Sequence, residues 1–174
     1  NSIGTLGAST VGGNLSLFNG ADLSQTGPLS VTGTSSFATL GNVDLGNAQN
    51  SFGGGVSVQA TGRVTLRSAD AMRLGSVSTS GMVGVVAGGD LTVAGSGAVN
   101  TSGDVALTAT AGKLTLDGLL TGADVSLAAG QGMRLGNSIN ASGQLTLAPG
   151  ANQTASVTGK LSATTTVING GTVQ

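Results

Sequence analysis

Arg63, Arg67, Asp70 and Arg73 make the densest charge cluster in this 174-residue chain. A carboxylate among cations is where paired-carboxylate chemistry on a glycoside would begin, one acid protonating the leaving oxygen while another activates water or attacks the sugar. Such an enzyme would carry several acids, aromatic rings for stacking on sugars, and long site-forming loops. Here Trp and Tyr are absent, only Phe18, Phe37 and Phe52 supply rings, and the loops are short, so the cluster reads as a solvated, ion-paired surface. Other chemistries fare no better. Nucleophilic triads need a base, and the chain has no His. With no Cys either, zinc loses both of its preferred ligands. Asp104 and Asp124, followed in line by Gln144, precede apolar triplets at a fixed spacing, and stacked carboxylates would call for a cation such as calcium. The calcium-binding nonapeptide is missing and "GGD" occurs once, at 88–90. These acids therefore read as turn formers bonded to their own backbone. "FGGGV" at 52–56 lacks the Lys of a phosphate loop and reads as a corner where only Gly fits. Asn14, Asn100, Asn140 and Asn152 head N-x-S/T triplets, expected by chance in a chain so rich in Ser and Thr. Six scattered bases, the three Arg above with Lys113, Arg134 and Lys160, make no heparin-type patch. No catalytic, cofactor or metal site is expected.

The elements that would position any site are set by a repeat. "RVTLRSADAMRLGSVSTSG" at 63–81 returns as "DVSLAAGQGMRLGNSINASG" at 124–143. Apolar-x-apolar triplets begin at Val64, Val83, Val105, Val125 and Leu145, in steps of 19, 22, 20 and 20. A second triplet follows in each period, at Met72–Leu74, Leu91–Val93, Leu114–Leu116, Met133–Leu135 and Ala155–Val157, and a third apolar residue at Val77, Val99, Leu120, Ile139 and Leu161. Three short period-2 strands per turn describe a three-sided coil. A three-residue strand cannot bury itself, but stacked coils pair each triplet in parallel with its equivalent about 4.8 Å away. Leu66, Val85, Leu107, Leu127 and Leu147 then form one inward ladder, while Thr65, Ala106, Ser126 and Thr146 point outward. The fold class is all-β, a parallel β-helix of about 20 residues per turn. The competing antiparallel sandwich wants longer strands, Tyr or Trp, and two-residue hairpin turns. Absence of Glu and scarcity of Lys and Arg also remove the residues that populate helix surfaces.

The chain reads as a single β-helical segment over 1–174, less regular over 1–59 and regular over 60–168. Triplets at Leu15, Leu29 and Val43 are spaced by 14, not by one period, and imply the same coil with a longer or displaced corner. About eight turns would make a rod roughly 40 Å long. A net charge of −1 offers no footprint for nucleic acid. No run of about 18 apolar residues exists to insert in a membrane, and no leader is present, so an export signal is expected outside this piece. Both ends fall mid-pattern and read as cut from a longer chain.

"LGASTVGGNLSL" (6–17), "LSQTGPLSVTGTSSF" (23–37), "AQNSFGGGVSV" (48–58) and "AGGDLTVAGSG" (87–97) resemble the repeat cassettes of filamentous-haemagglutinin-like exoproteins, large bacterial adhesins exported by two-partner secretion. The resemblance implies a right-handed β-helical shaft, secretion to the cell surface, an outer-membrane transporter as partner during export, and contact with host cells or glycans through the parent protein. The NPNL- and NPNG-type motifs of that family's secretion domain are absent, which places the piece in the shaft. Shafts of contact-dependent inhibition proteins and autotransporter passengers look alike. The expected role is a rigid spacer, not an enzyme and without cofactors. A flank that itself binds glycan or protein, an end-to-end self-associating filament, and more remotely a polysaccharide-active β-helix enzyme are the alternatives.

Overall fold

A computed structural model of the chain describes residues 4–174. Every strand pairing among them is parallel, and no helix occurs. The strands stack as a β-solenoid of about 8 turns of ~20 residues. One face is a continuous seven-stranded sheet, Val43–Leu45, Val64–Ser68, Val83–Ala87, Val105–Ala109, Val125–Ala129, Gln144–Ala148 and Thr165–Ile168. This sheet is the first face. The second carries Leu91–Val93, Leu114–Leu116, Met133–Leu135, Thr154–Val157 and Thr172–Val173; the third carries Ala98–Asn100, Leu119–Gly122, Ile139–Ala141 and Leu161–Ser162.

The spacing expected from the repeat is the register observed. Leu45, Leu66, Val85, Leu107, Leu127 and Leu147 stand one above the next, each no more than 1% exposed. Met72 lies under Leu91, Leu114 and Met133 in turn, so the two "MRLG" copies occupy one position of the coil three turns apart. Val77, Val99, Leu120, Ile139 and Leu161 form the third ladder. Each fully buried Leu or Val contributes roughly 1.5–3 kcal/mol by leaving water, and because the ladders run through successive coils, no coil closes its core without its neighbours.

The steps of 14 before residue 60 have a simple cause. Leu15 begins a third-face strand, Leu15–Asn19; Leu29 begins a second-face strand, Leu29–Val31; Val43 begins a first-face strand. Fourteen residues cover two sides of the coil, so each step lands on a different face. The true partners lie a full turn away: Leu15 pairs with Ser35, Ser9 with Leu29, and Leu23 bridges Val43. The displaced corner lies between the third and fourth coils. Val56 of the strand Gly55–Gln59 pairs with Leu74, and Val58 with Val77, across an irregularity between Leu74 and Val77. The strand Met72–Ser78 thereby serves second and third faces at once and joins them into one thirteen-stranded sheet. Below this junction the core holds the aromatic pair Phe37 and Phe52, edge to face with ring centroids 6.5 Å apart, while Phe18 is 68% exposed.

Candidate functional site

Arg63, Arg67, Asp70 and Arg73 all belong to the fourth coil, yet the coil spreads them out. Arg67 is on the first face, Arg73 projects from the strand that follows, and Arg63 and Asp70 occupy the corners before and after the first-face strand. All four are exposed. The expected ion pairing is not there: Asp70 Oδ2 accepts the Ser51 hydroxyl at 3.0 Å, and the ion pair among the described residues joins Arg134 and Asp117. A span of eleven residues is more than half a turn, so closeness in sequence separates side chains in space.

The acids before the first face also differ from expectation. Asp124 N–H donates to Asp104 Oδ1 at 3.1 Å and Gln144 N–H to Asp124 Oδ1 at 2.7 Å. Each side chain is thus bonded to the coil above it, not to its own backbone. The device recurs lower in the same column, where Asn42 N–H meets Asp22 Oδ1 and Arg63 N–H meets Asn42 Oδ1, both at 2.7 Å. At other corners Asn14 and Asp90 accept from Thr34 and Lys113. Geometry explains the pattern: the residue leading into each strand has an N–H that the sheet ladder does not use, and a short Asx side chain one coil below reaches it. No three acids gather into a metal site among the described residues.

A polar bracket inside the third coil was not legible in the sequence. Asn50 is fully buried. Its Oδ1 accepts from Leu29 N–H and from Gln25 Nε2, each at 2.8 Å. Its Nδ2 donates to Gln25 Oε1 at 2.8 Å and to the Leu45 carbonyl at 3.0 Å. One side chain thereby satisfies backbone groups from two coils and locks the five-residue corner 46–50. "FGGGV" is a corner only in part. A Cβ on Gly54 would lie 2.5 Å from the Gly33 carbonyl oxygen, whereas one on Gly55 would meet nothing within 4 Å.

Two open grooves run along the flanks. The larger, about 710 Å³, follows the third face and is floored by small neutral residues, including Asn100, Thr121, Asn140 and Ser162. Asn100 and Asn140, two of the N-x-S/T residues, thus lie two coils apart in one outward row. The second, about 480 Å³, lies on the second face and collects Lys113, Gln131, Arg134, Asn152 and Gln153. Bases that look scattered in the sequence converge here. The signal was available: Lys113 precedes one second-face triplet and Arg134 is the middle residue of the next, so position within the period puts both on one side.

No curated protein and no solved structure matches the chain. A family model described as repeats of unknown function, DUF5649, matches residues 1–59 and again 61–119. Each matched unit is therefore three coils long, and the junction between them falls at residue 60, beside the displaced corner. With well over half of its residues so matched, the chain belongs to the family of DUF5649 repeats.

Proposed function

We propose that this chain is a shaft segment of a large secreted bacterial surface adhesin, a stiff spacer that carries binding regions elsewhere in the parent protein away from the cell. The supporting observation is the parallel stack of about 8 coils around a common core, which spreads axial load over many parallel pairings. The cassettes that resemble filamentous-haemagglutinin-like exoproteins point the same way and supply the export route: passage through an outer-membrane transporter by two-partner secretion, then coil-by-coil folding outside. On this reading the segment is not an enzyme and needs no cofactor, and contact with host cells is made by the parent protein. Its flanks neither insert in membranes nor bind nucleic acid. An antibody raised against residues 61–119 tests the proposal on intact producing bacteria. Surface labelling that disappears after external proteolysis is the expected result; labelling only after lysis overturns it.

A further inference from the structure

We infer that the second-face groove binds a carboxylate-bearing saccharide, a uronate-type sugar within an oligosaccharide chain. Three successive coils build it. Thr115, Arg134 and Ser156 are register partners and form its floor, spaced by about 4.8 Å, comparable with the length of one sugar along an extended chain. Lys113 and Gln131 stand at one edge. The corner 149–153 stands above them on the same edge and is the longest of the three: it has five residues, against four in 110–113 and three in 130–132. Within it Gly150 has φ 87° and Asn152 φ 59°, a left-handed kink that Asn tolerates better than most residues.

The donor set selects the ligand. Arg134 gives one Nη to Asp117 and its side chain remains 56% exposed, which leaves further guanidinium N–H groups free for a carboxylate. The Lys113 ammonium has no ion-pair or hydrogen-bond partner among the described residues, and neither has the side-chain amide of Asn152 or Gln153. Asp90, the acid one coil below, has its Oδ1 engaged by the Lys113 backbone N–H at 2.8 Å. Gln131 uses its Nε2 on the Ala111 carbonyl at 2.8 Å and so offers Oε1 as an acceptor. Amides that both give and accept suit sugar hydroxyls, and an unpaired ammonium beside a half-free guanidinium suits a carboxylate. No aromatic ring lines the groove, so recognition depends on charge and hydrogen bonds, and several sugars must be engaged together.

Nuclear magnetic resonance titration of the whole 174-residue chain tests this, with a galacturonate oligomer as probe and a neutral hexose oligomer of equal length as comparison. The uronate should give saturable shifts confined to residues 113–115, 131–134 and 152–156. Lys113→Ala and Gln153→Ala should each weaken binding about tenfold, and Lys160→Ala, outside the groove, should leave it unchanged. Equal binding of the neutral oligomer, shifts on another face, no saturation, or indifference to Lys113→Ala would each overturn the assignment. Binding is read on purified protein and surface display on cells, so this inference and the spacer proposal fail independently.

Discussion

Asn50→Leu isolates what one buried amide does for the lower coils. The substitution removes four hydrogen bonds around a fully buried side chain. Gln25 is half-buried and can turn toward water, and the Leu45 carbonyl keeps its place in the ladder to Val64–Ser68, but the N–H of Leu29, a residue 1% exposed, has nothing to replace Asn50 Oδ1. A buried orphan costs about 1–3 kcal/mol, and with the Gln25 and Leu45 bonds also lost, less the gain from an added apolar side chain, the net loss is about 2 kcal/mol. That corresponds to roughly a 30-fold change in an opening equilibrium. Since each coil contacts only its neighbours, the loss should stay local. Native-state amide hydrogen exchange provides the assay. Protection in the strands Leu29–Val31 and Val43–Leu45 should fall by about that factor, while Val125–Ala129 keeps its wild-type value. Unchanged protection near the substitution would mean the bracket carries no net stability. An equal fall everywhere would mean that the rod unfolds as one cooperative unit, against the nearest-neighbour picture.

Four further perturbations separate inward from outward and tight from open positions, each read by denaturant unfolding of the full chain. Leu116→Asp buries an unpaired charge at a 0% exposed site and should cost several kcal/mol, about 3 or more, whereas Thr115→Asp, its half-buried neighbour on the outer side, should cost under about 1; equal effects would overturn the facing. Gly54→Ala drives a Cβ into the Gly33 carbonyl and should cost about 2 kcal/mol or more, while Gly55→Ala enters open space and should be neutral or stabilising by about 0.5 kcal/mol. Asp104→Ala orphans the Asp124 N–H and should cost about 1 kcal/mol, with Asp104→Asn near wild type because Oδ1 remains; loss in both would point to the charge instead of the acceptor. Ser35→Ala removes a 2% exposed hydroxyl whose oxygen has no partner and should stabilise by about 1 kcal/mol; a loss of stability would show that the hydroxyl is satisfied after all.

What was legible in the sequence is what a period makes legible. Leu107, Leu127 and Leu147 recur at 20, and inward position follows from alternation, so all three ladders above residue 60 could be read residue by residue. Below it the same rule misleads, because Leu15, Leu29 and Val43 share a pattern without sharing a face, and only the register distinguishes a two-sided step from a full turn. Corners were the blind spot. "NAQN" at 47–50 looks like any polar turn, and nothing local says that its last Asn points into the core toward Gln25, 25 positions earlier. Asp104 reads as a backbone acceptor from its sequence, but its donor is the Asp124 N–H one coil on, and a carboxylate satisfied by its own turn and one satisfied by the next coil have identical sequence signatures. Asp70 sits among Arg63, Arg67 and Arg73 in the sequence, yet the residue that meets it is Ser51, one coil below.

The two five-residue corners show why sites on such a rod belong to corners and not to faces. A face position is fixed by its ladder: outward residues stand in rows about 4.8 Å apart, and a change at one place leaves the same row above and below. A corner can change length without disturbing the register, because only its two ends are held by strands. In 46–50 no residue has positive φ, and the last Asn turns inward, where it serves the core. In 149–153 the left-handed Gly150 and Asn152 carry the corner outward, and its amides reach solvent beside Lys113 and Arg134. Equal length, then, gives opposite outcomes through backbone handedness at one or two residues. A chain of small, repetitive strands can acquire a distinct surface in this way while its core ladders, and with them its stiffness, stay the same.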